Sequence, residues 1–353
     1  MSQTTATTAA AWPPPQRRIH AGTGGAARTW AALGARRWLQ LGLAAVWLLD
    51  ALLQLQSFMF TKGFGQSLGS GPGNPAFVAG PVNWSARIVE AHPAWTNAAF
   101  ASVQLFLALG IAWRPTVKAA LAASVAWSLG VWWLGEGLGG LFNGTADAVT
   151  GAPGAVILYA LLAVLLWPTD TDTDRGPTPA PGAGGASAAT RSSGTGVGGP
   201  FVAARPAGVL TARLLWLALW GSFAYFAIQA ANRTAQGLHD MVAGMADGEP
   251  GWLAALDRNA ASLLAGNGAM WSVILAVAFA VIAAGIFLPA PGARVIVTLA
   301  AVAALIIWVI GQNFGGILAG SATDPNAGIL LILLAAAYWP RRRGPARRSS
   351  PVR

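Results

Sequence analysis

Apolar residues dominate eight segments of this chain, and the polar and charged residues collect between them. Each segment holds at least 13 residues, and none contains more than one charged residue. Runs of this kind indicate helices that cross a bilayer, because a helix satisfies its own backbone hydrogen bonds in hydrocarbon. The pattern predicts an all-α, polytopic membrane protein of about eight transmembrane helices, at residues 38–60, 96–113, 119–134, 154–167, 214–231, 268–288, 295–310 and 327–339.

The amino-acid composition also indicates that the folded protein is surrounded by lipid. Hydrophobic residues make up 55% of the 353 residues and charged residues only 10%, which is too little polar surface to cover a soluble globule. The chain has no cysteine, so disulfides, thiolate metal sites and cysteine nucleophiles are excluded. The net charge of +10 lies in tails and short loops, where it marks cytoplasmic ends and does not indicate a nucleic-acid partner.

The basic residues also predict an orientation. If both termini are cytoplasmic, only Lys62, Arg87, Arg233 and Arg258 fall in exoplasmic loops. An excess of Lys and Arg on one side sets the topology of membrane proteins. We therefore expect a multi-pass protein of the cell (inner) membrane, with both termini cytoplasmic and the lipid bilayer as its first partner.

Three polar stretches divide the chain. Residues 1–36 form a predicted disordered cytoplasmic tail, residues 169–209 a disordered cytoplasmic linker rich in Pro, Gly, Ser and Thr, and residues 341–353 a basic cytoplasmic tail. The membrane parts are residues 37–168, called the first half below, and residues 210–340, called the second half.

The two halves carry the same glycine-rich motif. Residues 135–144 read GEGLGGLFNG and residues 311–320 read GQNFGGILAG. In each half a Trp lies three residues upstream, and a short apolar segment ending in Trp-Pro follows. So many matches in one order predict two tandem copies of a four-helix unit. Because four spans return the chain to the same side, the copies are parallel repeats and not inverted ones.

Asp50 is the one charged residue inside a predicted span, and it lies about twelve residues from the start of that span, near the middle of the bilayer. An ionisable group at that depth is a functional candidate, although a protonated carboxyl that joins helices by a hydrogen bond explains it equally well. Gln54 follows one helical turn later, and Gln104 in the second span is a candidate partner. The corresponding part of the second half has no acid, so we expect any titrating site in the first half.

The glycine-rich motifs form a second candidate site. Glu136 in the first half corresponds to Gln312 in the second, where Asn313 also replaces a glycine. The apolar segments that follow are so short that either these loops enter the membrane or the bilayer thins. Short, glycine-interrupted segments at equivalent places of two repeats indicate an embedded ligand site. The GxGxxG spacing that begins at Gly135 does not indicate a nucleotide, because it follows a membrane span and not a β-strand.

Several short sequence segments resemble those of known membrane-protein families. QLFLALG at residues 104–110, with Arg114 after it, resembles the DoxX-like four-helix membrane proteins. LDALLQ at 49–54, GEGLGG at 135–140 and GAPGA at 151–155 resemble an actinobacterial integral membrane family of unknown function. The DoxX-like resemblance implies a membrane subunit of a quinone-linked oxidoreductase. This chain departs from that family by its duplication and by lacking the cysteines of several redox relatives, and no catalytic residue is carried over.

Three functions stay open at this point. The first is a membrane subunit or binder that holds a quinone, lipid or other small molecule. Its candidate ligand-binding residues are Asp50, Gln54, Gln104, Glu136, Gln312 and Asn313. The second function is a small-solute or proton-coupled transporter that uses the same polar path, and the third is a structural partner in a membrane complex. No nucleophile, base and orienting residue can be proposed together, so an enzyme is the least favoured interpretation, and the identity of any cofactor stays open.

Overall fold

The computed structural model describes residues 34–169 and 200–341, and within these ranges it is helical and contains no β-strand. Nearly all of the two predicted tails and most of the predicted linker lie outside the described residues. The helices are α1 (Ala35–Leu53), α2 (Lys62–Ser67), α3 (Ala76–Ala91), α4 (Pro93–Ala112), α5 (Val117–Leu134), α6 (Ala155–Leu165), α7 (Ala204–Ala207), α8 (Val209–Ala227), α9 (Gly237–Gly244), α10 (Gly251–Leu264), α11 (Gly268–Gly285), α12 (Ala290–Ile306) and α13 (Ala327–Ala337).

Five of these elements are long and apolar enough to cross a membrane. They are α4, α5 with the turn before it, α8, α11, and α12 with the π-helical turn after it. Only 28 to 33% of their residues are buried inside the protein, so large apolar side chains such as Phe106 and Leu210 face outward. Apolar surface exposed on this scale requires lipid as its solvent. The chain is therefore an all-helical, multi-pass membrane protein.

Helix α1 is shorter than the predicted span of residues 38–60. It ends at Leu53, where Asn97 Nδ2 donates to the Gln54 carbonyl at 2.7 Å. A side chain that binds a carbonyl at a helix end lets the chain turn away there. Asp50 consequently lies in the last turn of α1 and not in the middle of a longer helix, as the predicted span of residues 38–60 implies.

Helices α6 and α13 have 11 residues each. That is about 17 Å of helix, where a bilayer core requires about 30 Å. The two helices contact each other, and most of their side chains are buried, with Leu162 and Leu331 fully enclosed. A helix surrounded by protein does not have to match the thickness of the lipid. This accounts for the short apolar segments without a thinned bilayer.

Two helix pairs lie where the sequence analysis expects only loops. Helix α2 packs on α3, and α9 packs on α10. In α3 the buried residues include Val78, Val82 and Val89, which recur on one face at helical spacing. Polar residues interrupt the apolar ones in these segments, so a search for continuous apolar runs does not find them.

Residues 200–207 belong to the folded part, although the predicted linker covers residues 169–209. Phe201 stacks on Tyr338 with the ring centroids 5.1 Å apart. The backbone N–H of Ala203 donates to a carbonyl at the end of α13, at 3.0 Å. Residues 200–207 therefore belong to the folded second half, because Phe-Val-Ala-Ala supplies apolar surface that packs on α13.

Candidate functional site

The glycine-rich motif of the first half is a tight left-handed turn. Leu138 and Gly139 have left-handed backbone angles, with φ of +58° and +64°. A Cβ at Gly139 would overlap the carbonyl oxygen of Pro153, so only glycine fits there. Trp132 Nε1 donates to the same carbonyl at 2.6 Å. The turn thus holds the start of α6 against the end of α5.

The motif of the second half folds in the same way. Phe314 and Gly315 are left-handed, with φ of +56° and +81°. A Cβ at Gly315 would lie 2.7 Å from the carbonyl oxygen of Asp324. Trp308 Nε1 donates to the Pro325 carbonyl at 2.7 Å. An indole on a prolyl carbonyl therefore anchors the short helix of each half.

The second residue of each motif binds the N-terminus of the short helix. Glu136 Oε1 accepts from the Val156 backbone N–H at 3.2 Å, and Gln312 Oε1 accepts from the Gly328 N–H at 3.0 Å. A side-chain acceptor here satisfies an N–H that has no partner inside the helix. Glu136 and Gln312 thus make the same hydrogen bond. At this position of the motif, only the first half has an ionisable side chain.

The two halves exchange contacts through the loops that follow the turns. Gln56, just beyond α1, donates to the Ala322 carbonyl at 2.9 Å. Asn232, just beyond α8, donates to the Asp147 carboxyl. An amide of each half thus reaches the loop of the other half. The loops form one shared structure.

A cleft of about 360 Å³ opens at these loops. Most of its wall comes from glycine, alanine and threonine residues of the first half, and Asn326 comes from the second. Three carboxyl groups line it, those of Glu136, Asp147 and Asp324, and no Lys or Arg of the described chain is among its lining residues. A cleft with this lining suits a small molecule that donates hydrogen bonds or carries positive charge. Because Asp324 belongs to the second half, the acids of the site are not confined to the first half as the sequence analysis expects.

Burial changes the acidity of the cleft carboxyls. Glu136 Oε2 is buried without a hydrogen-bond partner, and burial together with the nearby Asp324 carboxyl raises the pKa of Glu136 to about 8. Asp324 accepts from the Asn326 N–H at 2.7 Å and from the Thr323 hydroxyl at 2.9 Å. Burial raises the pKa of Asp324, and these two bonds oppose the rise only in part. Glu136 is therefore largely neutral at pH 7 and exchanges its proton just above that pH.

Asp50, in the last turn of α1, does not line the cleft but lies within electrostatic range of one of its residues. It is 1% exposed, and its Oδ1 has no hydrogen-bond partner. Its carboxyl lies beside the Tyr159 hydroxyl of α6 and within electrostatic range of Asp324. Tyr159 is also within range of Glu136. Four ionisable side chains therefore interact with one another here, those of Asp50, Tyr159, Asp324 and Glu136.

The other predicted site residues occupy three different places. Gln54 is buried, and its Nε2 donates to the Thr323 carbonyl at 3.4 Å, next to the cleft. Gln312 lies at the cleft edge, with its Nε2 close to a glycine of the cleft wall. Gln104 is buried with its Oε1 unpartnered and is not among the cleft residues. Asn313 points to a separate group of acids on α10 and the loop before it.

Sequence reasoning missed Asp147, Asp324 and Tyr159. The two aspartates lie in the loops between the motif and the short helix, which differ in length, so the alignment of the motifs does not extend to them. Tyr159 is the one hydroxyl in a strongly apolar helix and resembles ordinary packing. The sequence feature that could have revealed the two aspartates is that each loop contains one acidic residue shortly after the glycine-rich motif.

Within residues 34–169 and 200–341, no three His, Asp or Glu side chains are placed to hold a metal ion together. No protein-family model, curated protein or solved structure matches the chain. The fold and the site define a multi-pass helical membrane protein with an acidic cleft at its glycine-rich turns.

Proposed function

We propose that this protein is a membrane binder, or the binding subunit of a membrane complex, whose small-molecule ligand occupies the cleft at the glycine-rich turns. The observation that carries the proposal is that three carboxyl groups, of Glu136, Asp147 and Asp324, line one open cleft without a Lys or Arg among its lining residues in the described chain. A ligand with hydrogen-bond donors or positive charge would offset the cost of holding these acids close together.

The lining favours one class among quinones, lipids and other small molecules. Quinone rings and acyl chains need apolar walls, whereas this cleft presents carboxyl, amide and hydroxyl groups. A small molecule with amine or hydroxyl donors fits those groups best. The resemblance to DoxX-like proteins and its quinone-linked role remain predictions from the sequence.

A second candidate function is proton-coupled transport of a small solute. It is favoured by the interacting group of Asp50, Tyr159, Asp324 and Glu136, because ionisable side chains that lie together inside membrane proteins serve as proton relays. A proton on Glu136 near neutral pH would couple ligand binding to protonation.

The eight-span, duplicated architecture is also part of the proposal. Its support is that the left-handed turn, the indole bond and an 11-residue helix occur in both halves. Equivalent helices also pack together in the two halves. Helix α1 packs on α4 as α8 packs on α11, and α5 packs on α6 as α12 packs on α13. In this arrangement α1, α6 and α13 complete the eight spans.

The orientation of this arrangement can be tested directly. Reporter domains fused after Arg353 and inserted near Gly184 should both report the cytoplasm, because the basic residues concentrate on that side. A fusion after Asp247, in the loop between α9 and α10, is the control and should report the exoplasmic side. An exoplasmic signal from either of the first two fusions would overturn the eight-span map.

The ligand can be sought in the protein as it is purified. Mass spectrometry of gently extracted protein should detect a stoichiometric small molecule with the wild type and much less of it with Asp324→Asn or Glu136→Gln. The exposed variant Asp240→Asn is the control and should retain the ligand. A stable protein partner in place of a small molecule would favour the structural role and contradict the binding proposal.

Asp50 provides a third prediction. Asp50→Asn should fold normally and abolish proton-coupled activity, because the amide keeps the shape but carries no exchangeable acid. Asp50→Leu should lower the free energy of unfolding by about 1 to 3 kcal/mol, because it removes the polar neighbour of the buried Tyr159 hydroxyl. Thermal unfolding and pH-dependent uptake into liposomes measure the two effects. Wild-type behaviour of both variants would show that Asp50 is incidental.

A further inference from the structure

An apolar groove of about 720 Å³ lies between the membrane helices α4 and α5 of the first half. Small residues, among them Gly110 and Ala120, leave this space, and Phe106 and Trp113 line it with side chains that are more than half exposed. The Thr116 hydroxyl in its wall donates to the Gly110 carbonyl at 2.8 Å and is therefore already bonded. The groove offers apolar contacts, which suit a hydrocarbon chain.

Two arginines lie at one end of this groove. Arg37 of α1 donates from Nη1 to the Ile111 carbonyl at 2.8 Å and from Nη2 to the Ala112 carbonyl. Helix α4 ends at Ala112, and the next residue, Trp113, lines the groove. Arg114 follows directly, within electrostatic range of Arg37. The hydrogen bonds of Arg37 and the position of Arg114 in the chain thus bring two guanidinium groups to the end of the groove.

The charge at this end of the groove has one sign. No Asp or Glu occurs in residues 34–49 or 91–135, so α4, α5 and most of α1 contribute no acid there. Guanidinium groups bind phosphate oxygens through paired, charge-assisted hydrogen bonds. In the proposed orientation this end is cytoplasmic, and basic groups between helices on that side bind the head groups of anionic lipids. An apolar groove that ends at two arginines therefore matches both parts of one anionic phospholipid.

The second half fills the equivalent position with a larger side chain. Gly285 corresponds to Gly110, because an isoleucine follows each of them. A Cβ at Gly110 would lie 2.8 Å from the Cβ of Ala120, whereas a Cβ at Gly285 would lie 2.4 Å from two side-chain carbons of the buried Ile296. The residues three and four positions after the glycine are Trp-Arg in the first half and Leu-Pro in the second. The first half therefore has the small wall residue and the arginine together, and the second half has neither.

We propose that one anionic phospholipid binds here, with an acyl chain in the groove between α4 and α5 and its phosphate at Arg37 and Arg114. The site is separate from the acidic cleft and does not depend on the ligand of the cleft. Because Arg37 belongs to α1 and Arg114 to the turn between α4 and α5, the phosphate links three helices. The bound lipid should therefore stabilise the first half.

The site is tested with delipidated, full-length protein in detergent, titrated with phosphatidylglycerol or with phosphatidylcholine of the same acyl chains. Native mass spectrometry should show one phosphatidylglycerol per chain, bound about tenfold or more tightly than phosphatidylcholine. Arg114→Gln should lower this preference about tenfold, because it removes one guanidinium from the phosphate. Ala123→Leu extends a larger side chain into the groove from an exposed position, so it should weaken the binding of phosphatidylglycerol without a change of charge.

Three controls separate this site from general attraction to a basic surface. Arg294→Gln removes a basic residue near the start of α12 in the second half and should leave the lipid preference unchanged. Ala122→Leu enlarges an exposed residue of α5 outside the groove and should bind as wild type does. An excess of inorganic phosphate should not displace the lipid, because it has no chain to occupy the groove.

Four results would overturn the proposal. They are equal affinity of the wild type for the two lipids, an equal loss of preference in Arg294→Gln and Arg114→Gln, binding by Ala123→Leu as tight as by Ala122→Leu, and displacement of the lipid by inorganic phosphate. The last result would assign the two arginines to a free anion.

Discussion

Glu136→Gln is expected to flatten the dependence of stability on pH between about pH 5 and pH 9. The pKa of Glu136 rises from 4.5 to about 8 in the folded protein, so the folded state holds this proton more tightly than the unfolded chain does. The stability that follows is fully present below pH 4.5 and is lost as the pH rises through 8. Discounted for the partial exposure of the residue, the loss should be about 2 to 4 kcal/mol smaller in the variant than in wild type. The other buried acids of the cleft, such as Asp324, keep their share of the pH dependence in both proteins.

The duplication offers a matched control for this experiment. Gln312→Glu should keep the bond to the Gly328 N–H and introduce a second pH-dependent loss of stability, because it places an acid in the equivalent position. The exposed variant Asp240→Asn should retain the wild-type profile. Denaturant unfolding at a series of pH values provides the measurement. An identical pH profile for wild type and Glu136→Gln would show that Glu136 is not buried in the folded protein.

Gly139→Ala is expected to have the largest effect on stability, a loss of about 3 kcal/mol or more, or failure to fold. The backbone at Gly139 is left-handed, and the new methyl group would overlap the carbonyl oxygen of Pro153. That carbonyl also accepts the Trp132 indole bond. Moving it away would therefore disturb the anchor of α6 as well.

Gly130→Ala is the control, because Gly130 lies in α5 with no atom within 4 Å of the added methyl group. It should be neutral or slightly stabilising. Gly315→Ala in the second half should resemble Gly139→Ala, since the same left-handed turn is crowded by the backbone of Asp324 and Pro325. Thermal unfolding in detergent compares the three variants. Equal midpoints for Gly139→Ala and Gly130→Ala would contradict the crowded-turn geometry.

The apolar pattern predicts the helices of the membrane part well, because length and hydrophobicity are what a bilayer selects. Each of the eight predicted spans coincides with a helix, and five of these helices meet the length and composition that a membrane span requires. The end of α1 was misplaced because polar side chains from elsewhere, among them Asn97, bind the backbone where the chain turns. Such long-range contacts leave no periodic signal. The same holds for Phe201, whose burial depends on Tyr338 more than 130 residues later.

The candidate site was predictable only in part. Glu136 and Gln312 stand out in the sequence because they align in the glycine-rich motif shared by both halves. Glu136 lines the cleft, and Gln312 lies beside it, close to Gly151 of the cleft wall. Asp324 could not be paired with Glu136 from the sequence, because folding brings together loops that are 188 residues apart in numbering. Gln104 shows the opposite case, since a buried amide on a membrane helix looks functional in a sequence whether or not it reaches the cleft.

The most direct test of the central claim is native mass spectrometry of the wild type beside Thr150→Trp. Thr150 is exposed and lines the cleft, so the indole should fill the ligand space without disturbing the core. The control Ser102→Trp places the same side chain on the exposed face of α4. We expect wild type and Ser102→Trp to carry one small molecule per chain and Thr150→Trp to carry none. A ligand retained by folded Thr150→Trp as fully as by Ser102→Trp would contradict the assignment of the cleft as the binding site.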